Sequence, residues 1–297
     1  MIEVKQLCKS FDGCRALCGL DITVPDASVY GLVGPNGAGK STVINHLAGI
    51  LRQNSGEVLI DSQPVYENPA VKRRVAYIPD EIFYYPQATI DDMARFYRSV
   101  YPTFSTEKFK SLAPAFELDT NRVMRKLSKG MQKQAAFWIA LACRPDYFIL
   151  DEPVDGLDPV MRRRVWQLML SDVAERGMSV LVSSHNLREL EDVCDHVGIM
   201  NRGRMLVERS LSELQENIVK VQIALNDGAA LPEGLEILHE SRTGRLRQLI
   251  LRGKAEEITN RLAAAQPLFM DVLPLNLEEI FIYEQGGAEN EVRDIIL

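Results

Sequence analysis

The stretch Gly34-Pro35-Asn36-Gly37-Ala38-Gly39-Lys40-Ser41-Thr42 decides how the rest of this chain is interpreted. It follows an apolar run at 29–33 and precedes a helical pattern over 43–51. The spacing G-x-x-x-x-G-K-[ST] between a strand and a helix is that of a phosphate-binding loop. Its glycines let backbone N–H groups converge on an anion, and the helix adds the positive end of its dipole. The alternative is a glycine-rich turn without a ligand, but the complete pattern is far rarer than a lone G-x-G.

Three side chains of this loop have predicted roles at a nucleoside triphosphate. Lys40 is expected to reach the β- and γ-phosphates, Ser41 to offer its hydroxyl to Mg²⁺, and Thr42 to lie near the α-phosphate. Gly34, Asn36, Gly37 and Gly39 complete the predicted cradle.

Two acids, Asp151 and Glu152, end the continuous apolar run 147–150, which is typical of a parallel strand covered on both faces. We expect Asp151 to hold Mg²⁺ opposite Ser41, and Glu152 to align a water on the γ-phosphorus and accept its proton. His185 follows the next strand pattern, 179–183, and is a candidate donor to the γ-phosphate. The alternative for His185 is a surface or capping role, since Asn186-x-x-Glu189 is typical of a helix N-terminus, here predicted for a helix over 187–194.

Two further positions have both a functional and a structural interpretation. Ser128-Lys129-Gly130 begins a helical pattern over 132–143 and is a second potential anion site, which two subunits packed head to tail could share. The alternative is an ordinary serine cap. Phe11 lies at the turn of a hairpin predicted from strands 2–9 and 17–24, where it is a candidate for stacking on adenine. The alternative is that Phe11 packs on the hairpin itself.

Composition limits the class of protein. The 297 residues are 46% hydrophobic and 25% charged, which is ordinary for a globular chain long enough for one large and one small domain. A net charge of −7 argues against nucleic acid as the main partner. The longest apolar stretches fall short of the roughly 20 residues of a membrane helix, and the N-terminus lacks a basic-then-apolar signal segment. We therefore expect a cytoplasmic protein, with any membrane crossed by another chain.

Strand and helix patterns alternate through most of the chain, which predicts a parallel sheet with right-handed crossovers. A helical block over about 82–130 is predicted as an insertion in this core. Beyond residue 216, short strands and two helices predict a separate small α/β domain, followed by a polar tail, 286–294, that we expect to be mobile. The predicted domains are therefore 1–215 and 216–297. The predicted elements of the small domain are strands at 219–224, 235–239, 246–251 and 268–272 and helices at 255–265 and 276–284.

Together these motifs resemble the ATP-binding cassette (ABC) family, specifically the ATPase subunit of a membrane transporter. The most similar branch is that of single-cassette exporters of the acetoin, bacitracin and multidrug types. The resemblance spans about residues 1–215, with the motifs in the family's order. They are Phe11, G-P-N-G-A-G-K-S-T (34–42), L-S-K-G-M (127–131), I-L-D-E-P (149–153), G-L-D (156–158) and S-S-H (183–185).

The resemblance implies a P-loop ATPase core with an N-terminal antiparallel β subdomain and an inserted helical subdomain, plus the small C-terminal domain. It implies hydrolysis of ATP with Mg²⁺ by two cassettes that enclose two ATP molecules. Ser128 and Gly130 would complete the site of the other subunit, and Asp158 would lie in the dimer-contacting loop.

The second subunit is expected to be an identical chain, with a heterodimer as the alternative. The dimer would power transport, expected to be export, through a separate membrane-spanning subunit at the cytoplasmic face of the membrane. The candidate docking surface for that subunit is formed by Phe83, Tyr84 and Tyr85, because aromatic residues are enriched at interfaces. The alternative is that these three side chains pack into their own domain.

The sequence departs from the family's pattern at three positions. Asp80 stands where the family usually has Gln and remains a predicted contact of Mg²⁺. Lys129 and Met131 replace a glycine and a glutamine of the signature.

Two other functions compete with transport. An ABC protein acting on the ribosome or on DNA usually carries two cassettes or a long coiled coil, whereas only 87 residues without a heptad run separate Lys40 from Ser128. A nucleotide-dependent regulator without turnover would require the loss of Glu152, which is present.

Overall fold

The computed structural model describes residues 1–226 and 230–284 and divides the chain into two compact units. The first unit comprises residues 1–185 and 193–208, and the second comprises 186–192 and the chain from 209 onward. The domain ranges 1–215 and 216–297, and the helical range 82–130, stay predictions. The tail predicted over 286–294 lies outside the described residues.

The first unit contains the following strands and helices, of which the last strand, β10, extends two residues into the second unit. The strands are β1 (Ile2–Phe11), β2 (Cys14–Val24), β3 (Val29–Val33), β4 (Ser55–Ile60), β5 (Gln63–Pro64), β6 (Val75–Ile78), β7 (Tyr147–Asp151), β8 (Ser179–Ser184), β9 (His196–Asn201) and β10 (Arg204–Ser210). The helices are α1 (Lys40–Leu47), α2 (Pro69–Lys72), α3 (Ile90–Val100), α4 (Thr106–Phe116), α5 (Lys129–Ala142) and α6 (Pro159–Arg176).

A six-stranded sheet with the order β10-β9-β3-β8-β7-β6 forms the centre of the first unit. The strands from β9 to β6 are paired in parallel. Every residue of β3, β7 and β8 is buried, because helices and a second sheet cover both faces of these apolar strands. The parallel arrangement brings the carboxyl ends of β3, β8 and β7 to one edge of the sheet.

A four-stranded antiparallel sheet, β2-β1-β4-β5, packs beside the central sheet. Ile2 and Val4 of β1 alternate into the same apolar core as Tyr30 and Leu32 of β3. A register shift between Val4 and Leu7 brings Leu7 into this core as well. The β1–β2 hairpin turns at Asp12-Gly13, directly after Phe11.

The helical block between β6 and β7 is held together by aromatic packing. Trp138 of α5 is buried, stacks on Phe109 of α4 with 4.5 Å between ring centroids, and donates its indole N–H to the Phe109 carbonyl oxygen at 2.7 Å. Helix α3 begins with a capping box, in which Thr89 and Asp92 satisfy each other's backbone N–H groups. Within the described residues, no helix combines the length and apolarity that crossing a membrane requires.

The second unit has its own four-stranded antiparallel sheet with the order β12-β13-β11-β14. Its core contains Val219, Val221, Leu249 and Leu251 of the sheet with Ile258 of the covering helix. The elements of this unit are α7 (Leu211–Glu216), β11 (Ile218–Ala224), β12 (Ile237–Thr243), β13 (Leu246–Arg252), α8 (Ala255–Ala263), β14 (Phe269–Leu273) and α9 (Leu277–Glu284).

The segment 186–192 joins the second unit through α9. Arg188 forms two hydrogen bonds with the Glu278 carboxylate, at 2.9 and 2.7 Å, and the carboxylate of Glu191 accepts the N–H of Leu277 at 2.9 Å. These contacts explain why the helix predicted over 187–194 is wrong: only a 3₁₀ turn, Leu187–Glu189, forms there. Arg188 and Glu191 contact α9, and a longer helix would have pointed these two side chains in other directions.

Two helices near the predicted motifs begin earlier than the sequence indicated. Helix α1 begins at Lys40, not at residue 43, because Gly39 is its N-cap, and it ends before Gly49, whose φ of 67° is left-handed. Helix α5 begins at Lys129 because Ser128 accepts the N–H of Met131 at 3.3 Å. Strand β10 was not predicted, since charged residues interrupt its apolar pattern.

Candidate active site

The register of three parallel strands brings the sequence motifs together. Val33, the last residue of β3, pairs with Ser184 of β8, and Asp151, the last residue of β7, pairs with Ser183 of β8. The phosphate-binding loop, the acidic pair and His185 therefore all leave the sheet at the same edge.

The loop between β3 and α1 has a backbone suited to anion binding. Gly37 and Gly39 have φ values of 82° and 107°, and a Cβ at Gly39 would lie 2.9 Å from the Ala16 carbonyl oxygen. Glycine is therefore required at Gly39 by both conformation and close approach. No side chain among the described residues caps the first turn of α1, so its N–H groups remain available for an anion.

Lys40 is buried at the start of α1, and its ammonium is satisfied by the protein. It donates to the Gly34 carbonyl oxygen at 2.6 Å and lies 3.4 Å from Oε1 of Glu152. These are contacts that anionic phosphate oxygens can replace, because an ammonium pairs with phosphate as a point charge.

Glu152 is held from several sides. Its Oε2 lies 2.9 Å from Nδ1 of His185, and the same oxygen accepts the His185 backbone N–H at 3.3 Å. The backbone N–H of Glu152 donates to Oγ of Ser183 at 3.1 Å. Glu152 has a left-handed φ of 45°, an uncommon conformation for a residue with a side chain, which is maintained by such contacts.

Asp151 and Ser41 carry oxygen atoms of the kind that Mg²⁺ prefers as ligands. Asp151 is buried, and its Oδ1 accepts the hydroxyl of Ser183 at 2.7 Å, which orients the carboxylate. Ser41 presents an exposed hydroxyl in the first turn of α1. Hard oxygen ligands from a hydroxyl and a carboxylate fit a magnesium ion that keeps most of its waters and shares substrate phosphates.

A cavity of about 520 Å³ lies over the loop. It is lined by residues 35–42, by Cys14, Arg15 and Ala16, and by Asp80, Glu152 and Arg202. The structure thus brings Asn36, Gly37, Gly39, Lys40, Ser41 and Thr42 together with Glu152 and Asp80. Gly34 lies beneath this lining, where a Cβ would come within 2.4 Å of the Met200 carbonyl oxygen.

Phe11 lies outside this lining, and one face of its ring is covered by another side chain. The Lys9 ammonium lies 5.0 Å from the centroid of the Phe11 ring, in cation–π geometry. Phe11 is 41% exposed, so the ring remains accessible. Its stacking on adenine stays a prediction.

The signature residues form the N-terminus of α5, away from the lining of the cavity. Ser128 is exposed and acts as the N-cap of α5, and a Cβ at Gly130 would lie 2.5 Å from the Gly156 carbonyl oxygen. Asp158 is the N-cap of α6, since its Oδ1 accepts the N–H groups of Val160 and Met161. Ser128 and Asp158 thus each cap a helix of their own subunit. The roles of Ser128, Gly130 and Asp158 in a dimer stay predictions.

Asp80 pairs with a lysine that the sequence analysis missed. Oδ1 of Asp80 lies 3.2 Å from the buried ammonium of Lys133. Burial, and then the negative charges of Asp151 and Asp80, raise the pKa of Tyr77 to about 12, so this hydroxyl stays protonated at neutral pH. Asp80 lines the cavity with an exposed side chain, and its carboxylate is already paired with Lys133.

Further residues of the site were missed because isolated arginines, serines and acids carry no motif. Arg202 reaches the cavity from the β9–β10 turn, which is fixed by the Gly203 N–H donating to the Ala38 carbonyl oxygen at 2.9 Å. Asp155 lies near Glu152 and His185, with one ligand-capable atom of each residue within 4.8 Å of the others. Only the position of Asp155 directly before the G-L-D motif could have indicated it.

Comparisons with known proteins define the class. Residues 17–155 match the ABC transporter domain family. The chain is 32% identical over 290 residues to the ABC transporter ATP-binding protein YtrB of Bacillus subtilis, covering 97% of this chain and 99% of that protein. It is 30% identical to the daunorubicin/doxorubicin resistance ATP-binding protein DrrA of Streptomyces peucetius, covering 80% of this chain and 74% of that one.

A solved ATP-binding subunit of an ABC transporter superposes with a TM-score of 0.68 and 27% identity, covering 72% of this chain and 92% of that one. The fold and site therefore define an ABC-type ATPase cassette. The chain belongs to the ABC transporter family, as an ATP-binding subunit. The predicted fold class and the predicted ATPase activity linked to transport are confirmed at the level of this family.

Substitution Ser183→Ala is expected to lower the kcat of ATP hydrolysis by about tenfold, with a smaller effect on nucleotide affinity. The hydroxyl orients Asp151 and accepts the Glu152 N–H, and its loss leaves both groups unpaired. Steady-state hydrolysis and nucleotide titration measure the two effects.

The matched control is Ser179→Ala, which removes a buried hydroxyl from the opposite end of the same strand, β8. Wild-type kcat in Ser183→Ala, or an equal loss in both variants, would contradict the assigned role of Ser183.

Proposed function

We propose that this chain hydrolyses ATP at the cavity over residues 34–42, and that two cassettes close on two nucleotides to drive a membrane-spanning subunit. The observation that carries this proposal is the convergence of Lys40 and His185 on the carboxylate of Glu152, at 3.4 and 2.9 Å. An acid that contacts both a cation and an imidazole beside a phosphate-binding loop suits cleavage of a phosphoanhydride bond.

Nucleotide binding changes the partners of Lys40. The β- and γ-phosphates replace the Gly34 carbonyl oxygen and the Glu152 carboxylate as acceptors of the ammonium. Glu152 loses one cationic neighbour and becomes free to hold a water. Phosphate binding and preparation of the base are thereby linked through one side chain.

Hydrolysis then proceeds with Glu152 as general base. The carboxylate accepts a proton from water, the water oxygen attacks the γ-phosphorus, and the bond to the β–γ bridging oxygen breaks to release ADP. His185 holds Glu152 and donates to the γ-phosphate. Ser41 and Asp151 would hold a Mg²⁺ ion, whose positive charge would stabilise the phosphate oxygens.

Closure by a second cassette would complete the site. Ser128 and Gly130 are placed at a helix N-terminus that stands apart from the cavity over their own loop. A second copy placed head to tail brings this N-terminus to the γ-phosphate of its partner, where N–H groups and the Ser128 hydroxyl bind an anion. An identical second chain is the simplest solution, because a two-fold axis creates two equal sites.

The proposed docking surface for the membrane-spanning subunit differs by one residue from the one that the sequence suggested. Phe83 and Tyr85 are exposed and continue to the exposed Phe96 of α3, with 5.4 Å between each pair of ring centroids. Tyr84 is half-buried and lines a different cavity, beside Asp80 and Lys133. We therefore define the docking surface as Phe83, Tyr85 and Phe96, and its occupant as an apolar cytoplasmic segment of the membrane subunit.

The name of one relative supports an inference about the direction of transport. DrrA is named for drug resistance, which supports export by this chain. The cassette would then lie in the cytoplasm, where ATP is present, and be held at the membrane by its partner. The net charge of −7 agrees with a function that does not involve nucleic acid.

Substitution Glu152→Gln is expected to preserve ATP binding and to lower the kcat of hydrolysis by at least about a hundredfold, because an amide cannot accept the proton. An ATP-bound dimer should accumulate, which light scattering detects as a doubling of mass. Glu175→Gln, at an exposed acid on α6, is the matched control. Wild-type turnover in Glu152→Gln would exclude Glu152 as the base.

Loss of the docking surface is expected to separate binding of the partner from catalysis. The double substitution Phe83→Ser/Tyr85→Ser should abolish co-purification with the membrane subunit and leave the ATPase rate of the isolated cassette unchanged, because these rings lie outside the nucleotide cavity. Leu268→Ser, at an exposed apolar residue of the second unit, is the control. Undiminished co-purification of the double variant would count against this surface.

A further inference from the structure

A buried lysine connects three segments of the first unit. Lys133 lies on α5, five residues beyond Ser128, and is 5% exposed. Its ammonium donates to the backbone carbonyl oxygen of Glu152 at 2.6 Å and pairs with Asp80 at 3.2 Å. A buried ammonium requires partners that replace its hydration, and these two contacts provide them.

Strand register explains why one ammonium reaches both partners. Ile78 of β6 pairs with Leu150 of β7, so Asp80 and Glu152 each lie two residues beyond a paired position on adjacent parallel strands. Lys133 bridges the two chain segments where they leave the sheet. The same side chain joins both segments to the helix that begins with the signature.

The contact with Glu152 is made to its backbone, where this residue has its unusual conformation. With φ at 45°, Glu152 relies on its surroundings to remain left-handed. Ser183 holds its N–H at 3.1 Å, and Lys133 holds its carbonyl oxygen at 2.6 Å. The direction of the carboxylate depends on both contacts, because the side chain extends from the Cα atom between these two groups.

We propose that Lys133 is a positioning residue that holds Glu152 in its hydrolytic conformation, and that Asp80 regulates this hold as the counter-ion of Lys133. This inference rests on the proposed role of Glu152 as general base. Asp80 precedes Phe83 of the docking surface by three residues. When the membrane subunit shifts that segment, Asp80 moves relative to Lys133. The Lys133 ammonium then changes its contact with the carbonyl oxygen of Glu152.

The pairing also gives Asp80 a role that differs from the predicted contact with Mg²⁺. A neutral Gln, usual in the family at this position, would leave the charge of Lys133 without a counter-ion. Asp80 supplies that charge from a side chain that is itself 60% exposed. The two roles are separable, because a counter-ion affects turnover through Lys133 whereas a metal ligand affects the concentration of Mg²⁺ required.

The test is a double-mutant cycle on the isolated cassette with Lys133→Met, Asp80→Asn and the double variant. We expect Lys133→Met to lower kcat by about tenfold or more, with the dissociation constant for ATP within about twofold of wild type. Asp80→Asn should lower kcat by about threefold, and the double variant should equal Lys133→Met, because the pair acts as a unit. Lys133→Gln, which retains an N–H donor for the Glu152 carbonyl, should recover part of the loss.

Lys110→Met, at an exposed lysine of α4, is the matched control and should retain the wild-type kcat. The inference is overturned if the two single effects multiply, or if Lys133→Met weakens ATP binding and spares kcat. If Lys133→Met does not fold, Asp80→Asn decides, since unchanged kcat in this surface variant contradicts the counter-ion role. An Asp80→Asn variant that differs from wild type only in its Mg²⁺ requirement also contradicts it. Absence of turnover in the wild-type protein would instead contradict the proposed function itself.

Discussion

The parallel register of β3, β8 and β7 is the constraint on which the site depends. Hydrogen bonding places Val33 beside Ser184 and Asp151 beside Ser183, so three loops leave the sheet at one edge. Every residue of the three strands is buried, and the strands are mainly apolar apart from Asp151 and the serines of β8, so burial on both faces favours this pairing. A change of register would move the acidic pair away from the phosphate-binding loop. The proximity of the catalytic residues therefore depends on how the strands pair.

Within this frame, Glu152 is the residue on which most contacts converge. Its carboxylate meets Lys40 and His185, its N–H meets Ser183, and its carbonyl oxygen meets Lys133. In the proposed mechanism, phosphates compete with Glu152 for Lys40, and movement of the Asp80 segment affects the contact with Lys133. The left-handed backbone of Glu152 makes its geometry sensitive to both, because that conformation persists only while its neighbours maintain it. In the proposed mechanism, substrate binding and contact with a membrane partner therefore act on one carboxylate by different routes.

Much of the fold could be predicted because its signals are local. Continuous apolar runs indicated β3 and β7, the alternation of strand and helix patterns indicated β8, and the loop 34–42 has a spacing that few other structures produce. The helix predicted over 187–194 failed because Arg188 and Glu191 contact α9, nearly 90 residues later in the chain. Lys133 was missed for the same reason: its partners are distant in sequence, and a lysine on a helix usually faces solvent. Arg202 was missed because the loop whose cavity it lines is distant in sequence. The capping role of Ser128 was an alternative from the sequence that its hydrogen bond with Met131 bears out, whereas the capping role of Asp158 emerged only from hydrogen-bond geometry.

Each nucleotide site is proposed to contain residues of two subunits, and this composition can be tested by mixing two inactive variants. Lys40→Met removes the phosphate contact from its own loop. Ser128→Asp retains a good N-cap residue but places negative charge against the partner's nucleotide. In a mixed dimer both defects fall in one site and the other site is intact, because each site takes Lys40 from one chain and Ser128 from the other. If each site is shared, ATPase activity should reappear on mixing. Activity no higher than the mean of the two separate variants would contradict a shared site.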